Sequence, residues 1–263
     1  MIACDMLDSG IARITLDRAD AANALTLPLV AQLRGTIAEL QDDPDVRLLI
    51  LTARGGVFCA GLDLKEIVGD GEEAPDNFAN IDLQERFAAL MCEISESRFP
   101  VIAALNGPAV GAGMGMALAA DIRIAATTAR FLIGAVKIGL SAGECGISYH
   151  LPRIVGAGRA FEMMLTGRAV DAEEAHRTGL VTTLCEPDML QDEALTLARQ
   201  ITANSPYAVK HTKQVMRSNL EAPSLRAAIA LENHVQCLAL GTADFREGCE
   251  AFAQKRPPDF RGH

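Results

Sequence analysis

The stretch 101–125, VIAALNGPAVGAGMGMALAADIRIA, decides how this chain is read. Residues 100–105 form an apolar run, the pattern of a short strand buried on both faces. Asn106 to Gly111 break the run with two glycines and a proline. A helix over 113–119 is built almost wholly from small residues, and 121–125 returns to strand. Strand, glycine-rich turn, helix and strand in succession point to a layered α/β fold. The glycines admit two readings. A dinucleotide-binding turn would use Gly111 and Gly113, but the next glycine is Gly115 rather than residue 116, and Asp121 comes too early to serve as the acid about 20 residues on. Close packing of a helix on a sheet explains the same residues.

Upstream, residues 11–17 (IARITLD) alternate, with Ala12, Ile14 and Leu16 on one face, which predicts a half-buried strand. Asn23 to Leu25 read as a loop. Thr26 is placed to cap a helix whose apolar stripe is Leu29, Leu33, Ile37 and Leu40. Leu48 to Thr52 form a second fully apolar strand, followed by the Gly55-Gly56 loop and the segment Gly56 to Leu64, GVFCAGLDL. Ala60 and Gly61 there let a ligand approach the backbone, and Asp63 is placed to cap a following helix whose free N–H groups can receive an oxyanion. A plain strand-to-helix turn is the alternative. Residues 69–80 are acidic and carry Gly and Pro, which predicts a mobile surface loop before a helix at 81–97. Beyond residue 158 helices dominate, at 158–166, 171–178, 188–203, 206–219 and 223–239. No linker or repeat divides the chain, so residues 1–195 are read as an α/β core and 196–263 as a helical region continuous with it.

The 263 residues are 49% hydrophobic and carry a net charge of −10, which excludes disordered and fibrous classes and disfavours nucleic acid or an anionic membrane as partner. With no Trp and two Tyr, stacking on bases is poorly supplied. Seven cysteines without a CxxC pair suggest neither a disulfide framework nor zinc, and no metal is expected. Residues 101–120 are the longest apolar stretch, but five glycines or prolines interrupt them, so no membrane span is expected. The first residues lack the pattern of a signal peptide, and a cytoplasmic location is the default expectation.

Two glycine-rich turns about fifty residues apart, each following a buried strand, can each give one N–H to a single carbonyl oxygen. FCAGLDL and NGPAVGAGMGMALAADIRIA closely resemble the two oxyanion-hole motifs of the crotonase (enoyl-CoA hydratase/isomerase) superfamily. Further segments agree in order along nearly the whole chain: LDRADAANALT, IGLSAGECGISYHLPRIVG, LTGRAVDAEEAHRTGLV, SPYAVKHTK and AFAQKRPPDF. The resemblance implies an α/β fold with a ββα spiral core and a C-terminal helical region that mediates homotrimers, commonly paired as dimers of trimers. It implies an acyl-CoA thioester substrate, with coenzyme A part of that substrate and no separate cofactor. It makes the backbone N–H groups of Leu62 and Ala112 the oxyanion donors. Ala24, Leu25, Ala60, Gly61, Asp63, Leu64 and Gly111 would line the substrate groove, and Lys255 and Arg256 would meet the CoA phosphates, from a neighbouring subunit or as solvated cations.

The sequence departs from the hydratases of that superfamily at two positions. Gly115 and Ala135 stand where those enzymes carry two glutamates that share a water. One acid remains close in sequence, Glu144, at a place resembling the acidic residue before a glycine turn in several isomerases of the superfamily. A 1,3-proton shift needs one group that removes a proton and returns it elsewhere, which favours isomerase-like chemistry with Glu144 as acid/base. Alternatively Glu144 caps the next helix or pairs with Arg153 or His150. His150 and His176 are read as structural, Cys59 and Cys145 as small packing residues, and Glu66 as capping or solvated. Two other functions compete: an acyl-CoA-binding protein that has lost the chemistry, and a nicotinamide-dependent dehydrogenase resting on the glycine cluster alone.

Overall fold

Alternation within the apolar runs puts successive residues on opposite faces of one sheet and so divides the core into two layers. The computed structural model describes residues 1–64 and 77–262. Within them a six-stranded sheet runs in the order β1 (Ile2–Met6), β2 (Ile11–Leu16), β3 (Leu48–Ala53), β4 (Val101–Leu105), β6 (Ile122–Ala126) and β9 (Thr183–Cys185). β1 is antiparallel to β2, and the other neighbours are parallel. A smaller sheet joins β5 (Ala109–Val110), β7 (Arg130–Leu132) and β8 (Ala169–Asp171).

Leu49, Leu51, Val101, Ala103 and Leu105 face the larger layer. They pack there with α1 (Leu27–Asp42), α2 (Asn77–Ser95) and α3 (Ala112–Ala119). Thr26 caps α1 as its position predicts, accepting from the Leu29 N–H at 3.3 Å, and Leu29, Leu33, Ile37 and Leu40 are its buried stripe. After α4 (Ile147–Val155), α5 (Ala157–Thr166) and α6 (Ala172–Arg177) the chain enters α7 (Leu190–Thr202). Leu190, Ala194 and Ala198 of α7 cover the second face of the sheet, against Ile11, Leu48, Ile50, Ile102 and Ala104. The 195/196 division expected from the sequence therefore falls inside a helix packed on the sheet. The last helices are α8 (Pro206–Asn219), α9 (Leu225–Ala239) and α10 (Ala243–Gln254).

Several expectations are corrected. β2 is not half-buried: α7 and its strand neighbours cover both faces, and even Thr15 is buried. The α2 helix begins at Asn77, upstream of the expected 81, while residues 69–76 of the expected loop lie outside the described residues. Edge strand β1, helices α4 and α10, and the short strands β8 and β9 appear in addition. β9 extends the main sheet by pairing with β6, so the C-terminal part is less purely helical than its sequence suggests. Among the described residues no helix is long and apolar enough to cross a membrane.

The last helices carry an apolar surface their own chain leaves bare. α9 has no buried residue, and Met216, Leu220, Leu225, Leu238 and Phe252 are all exposed, the last by 87%.

The central sheet sets the stability of the chain. Leu51, 1% exposed in β3, is expected to cost about 3 kcal/mol when replaced by alanine, read by urea unfolding at fixed protein concentration.

Candidate active site

The loop after β3 is shaped by the chain between β2 and α1. Ala60 N–H donates to Ala22 O at 3.1 Å, Leu25 N–H to Gly61 O at 2.7 Å and Asp63 N–H to Leu25 O at 2.9 Å. Residues 60–63 thus run alongside 22–25. Ala22 and Asn23 are both left-handed, with φ of 51° and 53°, a rare state for residues with a Cβ. Asn23 is wholly buried and its side chain is fully used. Its Nδ2 donates to Arg54 O and Val57 O, at 2.9 and 2.8 Å, while Oδ1 accepts from the Arg18 N–H at 2.9 Å. Arg18 Nη1 donates to both Ala24 O and Asp63 Oδ2 at 2.9 Å. Sequence reasoning gave Arg18 and Asn23 no role. Their only sequence signal was membership in the segment LDRADAANALT.

The second loop is tied to the first. Phe58 and Cys59 N–H donate to Pro108 O, and Val110 N–H donates to Cys59 O at 2.9 Å. Gly111 N–H donates to Leu132 O at 2.9 Å, and α3 starts at the next residue. Gly61 has φ +89°, and a Cβ there would sit 2.8 Å from Val110 O and 3.5 Å from Ala112 N. Only glycine fits at this contact, and it brings the loops within van der Waals reach. Among the described residues the amides of Leu62 and Ala112 have no acceptor. Ala112 opens its helix, where no intrahelical acceptor exists. Two free N–H groups therefore lie on adjacent loops, one of them at a helix N-terminus, a local arrangement suited to a developing oxyanion.

The third component approaches from the turn before α4. Ile147 N–H donates to Glu144 O at 2.8 Å, and Cys145 and Gly146 have φ of 48° and 75°. Two successive positive φ values define a tight primed turn. It brings Glu144 Oε1 within 3.3 Å of where a Gly111 Cβ would lie, beside the residue whose neighbour carries the free Ala112 amide. The alternatives considered for Glu144 are not what the structure contains. α4 has no side-chain cap, and Arg153 donates to Tyr149 O and lies 3.7 Å over the Tyr149 ring. The Glu144 carboxylate makes no ion pair among the described residues, and burial raises its pKa above the ordinary carboxylate value.

The remaining candidates sort themselves by environment. Gly115 and Ala135 are buried without a carboxylate between them. Burial pushes the Cys59 and Cys145 thiols up to about 12, so both stay protonated and pack as small apolar groups. His150 is pushed down to about 4, first by burial and then by Arg217, Arg123 and Arg153, and is neutral at physiological pH. His176 Nδ1 lies 3.3 Å from Val181 O in α6, away from both loops in the chain. The Leu25 side chain is wholly buried, so it supports the groove from beneath, whereas Leu64 is exposed and Ala60 partly so. Asp63 is held toward Arg18, with its side chain 16% exposed. Arg256 is not a free cation: it forms a bidentate pair with Glu247 at 2.5 and 2.8 Å. Lys255, in a left-handed cap after α10, makes no ion pair among the described residues. Within one chain no hydrogen bond among the described residues joins either cation to the two loops. Glu66 lies outside the described residues.

The chain also matches known proteins along nearly its whole length. The family model for enoyl-CoA hydratase/isomerase matches residues 7–263. The chain is 38% identical, over 95% of its length and 89% of the relative's, to a probable enoyl-CoA hydratase of Mycobacterium bovis. It is 35% identical, over 97% of both chains, to the 1,2-epoxyphenylacetyl-CoA isomerase of Escherichia coli. The solved structure of an enoyl-CoA hydratase from Bacillus anthracis superposes with a TM-score of 0.94 at 32% identity, covering 100% of this chain and 99% of that one.

Asn23 is the keystone of the first loop. Asn23→Ala strips partners from two carbonyls and one N–H and is expected to cost about 3 kcal/mol in denaturant unfolding. Any folded protein that remains is expected to have reduced turnover, because the Leu62 amide loses its fixed direction.

Proposed function

The chain belongs to the enoyl-CoA hydratase/isomerase family of enzymes, and we propose that within it this protein moves a proton along the acyl chain of a CoA thioester, using Glu144 as a single acid/base. The thioester oxygen accepts from the Leu62 and Ala112 N–H groups. That polarises the carbonyl and lowers the energy of the enolate left when a proton departs. Glu144 takes the proton from one carbon and returns it at another, so the double bond shifts with no change in composition. Coenzyme A enters as part of the substrate and no further cofactor takes part.

The observation that carries this reading is the Glu144 carboxylate oxygen beside Gly111, one residue from the free Ala112 amide, with its pKa raised by burial and no ion pair among the described residues. A base of raised pKa suits abstraction of a weakly acidic carbon-bound proton. Two-glutamate water addition has no support, because Gly115 and Ala135 supply no carboxylate. The relatives include an isomerase beside the hydratases, so both reaction types occur among chains similar to this one. Residues Ala60, Gly61 and Leu64 flank the thioester in this scheme. Lys255 is the better candidate than Arg256 for a CoA phosphate, since Arg256 is already neutralised by Glu247.

We further propose that the bare apolar surface of α8, α9 and α10 is covered by other copies of the chain, in a homotrimer or a dimer of trimers. Light scattering is expected to give three or six chain masses, and one chain mass would reject the assembly.

The test of the chemistry is to incubate the protein and Glu144→Gln with 2-enoyl-CoA and 3-enoyl-CoA of short and long chain. A shifted double bond at unchanged mass is expected, lowered at least a hundredfold by Glu144→Gln. Gain of water would instead make the protein a one-carboxylate hydratase. Turnover that survives Glu144→Gln overturns the assignment, and tight binding without any product favours a binding protein.

The raised pKa of Glu144 fixes two pH dependences. Catalysis needs the carboxylate, so kcat is expected to fall with decreasing pH through a value above that of an ordinary glutamate. The folded state also holds this proton more tightly than the unfolded chain does, so the group's contribution to stability declines as pH rises through that window. Glu144→Gln is therefore expected to raise the melting temperature at neutral pH, with the gain vanishing in acid.

A further inference from the structure

Gly111 is the residue before α3 and Gly115 lies in its first turn, and Gly115 N–H donates to Gly111 O at 3.0 Å. The Glu144–Cys145 turn lies across both. Glu144 Oε1 stands over Gly111, while the Cys145 backbone occupies the space over Gly115. A Cβ at residue 115 would sit 2.6 Å from Cys145 O and 2.8 Å from Cys145 Cβ, closer than non-bonded heavy atoms approach. Neither side has room to yield. Gly115 and Cys145 are both buried. The turn is pinned by its hydrogen bond from Ile147 and leads directly into α4, whose Ile147 and Leu151 are anchored in the core.

We infer that Gly115 is a positioning residue for Glu144: its missing side chain lets the Glu144–Cys145 turn seat on α3, and a carboxylate at 115 and a seated carboxylate at 144 exclude each other in this chain. This rests on Glu144 being the acid/base. The absence of a hydratase-type glutamate at 115 is then a condition for the single-acid site rather than a simple loss. Restoring that glutamate does not create a two-carboxylate site, because any Cβ at 115 displaces the turn and carries Glu144, one peptide away, out of register with Gly111. The oxyanion amides belong to Leu62 and Ala112, upstream of the contact, so substrate binding is left largely intact while proton transfer suffers.

The experiment compares the wild type, Gly115→Ala, Gly115→Glu, Cys145→Gly, Gly115→Ala/Cys145→Gly and Glu144→Gln on the enoyl-CoA ester that the wild type turns over. Gly115→Ala is expected to lower kcat at least tenfold with KM within about twofold, and to move the acid limb of the kcat–pH profile. Cys145→Gly, which suits the positive φ at 145, is expected to remain folded and active. Gly115→Glu is expected to add no water to the substrate. In the double variant the contact with the Cys145 Cβ is removed and glycine at 145 gives the backbone freedom to move its carbonyl from residue 115, so partial recovery of kcat is expected. Where Gly115→Ala itself does not fold, recovery is read as a folded, active double variant. Wild-type kcat and pH limb in Gly115→Ala, a hydrated product from Gly115→Glu, or no recovery in the double variant overturns the inference. Glu144→Gln separates the two ideas. If it retains turnover, the acid/base reading itself fails. If it abolishes turnover while Gly115→Ala is neutral, only the positioning role fails.

Discussion

Among the described residues two backbone amides lack a protein acceptor, and they stay available to a ligand because the surrounding chain holds other carbonyls away from them. That constraint organises the region around Leu62 and Ala112. The first amide is held open because its neighbours Gly61 and Asp63 are committed to Leu25, and the second because it opens a helix. The strand-like contacts of Cys59 with Pro108 and Val110 then clamp one loop to the other. The centre of the sheet serves this clamp, since β3 and β4 are parallel neighbours and deliver both loops at the same end of the strands. The free amides represent unsatisfied hydrogen-bonding capacity that a ligand carbonyl can satisfy, and the rigid frame spares the reaction the cost of organising them.

The same logic explains the strained residues. Ala22, Asn23 and Cys145 adopt left-handed backbone although none is glycine, and all three border the site. Asn23 offsets its conformation with three hydrogen bonds. Cys145 has no comparable compensation from hydrogen bonds. Its thiol stands 4.0 Å from Gln84 Nε2, and its seat is supplied mainly by packing on Gly115. Ser9 and Lys255 are left-handed as well, but three of the five described non-glycine residues with positive φ border this site, and strain gathered there is a usual mark of a region shaped for chemistry rather than for stability.

Much of this was legible in the sequence, for physical reasons. The helix after Thr26 declared itself through a cap and a four-residue stripe, and the apolar runs at 48–52 and 100–105 were apolar on both faces, as strands inside a two-layer core must be. Both glycine turns were visible because close backbone approach demands small residues. What stayed hidden depends on contacts distant in sequence. β1 alternates poorly because it is an edge strand, and β2 looks amphipathic because the α7 helix that buries its second face lies far along the chain. Arg18 carried no signal of its own, because its partner Asp63 lies 45 residues away. Arg256 looked like a phosphate ligand until Glu247, on the preceding helix, was found to hold it. Glu144 could be placed near a turn, but its desolvation is a property of the assembled cleft.

The bare surface of α9 has a consequence for how the molecule holds together. A fifteen-residue helix with no fully buried side chain draws little from its own chain's core, and an isolated helix of that length is marginal in water. Its order must then be a function of what it meets. With the assembly proposed above, mass action holds it against neighbouring copies, and its order then depends on protein concentration. On that proposal the sheet and its two layers form an interior that ignores concentration, and α9 is a margin that measures it.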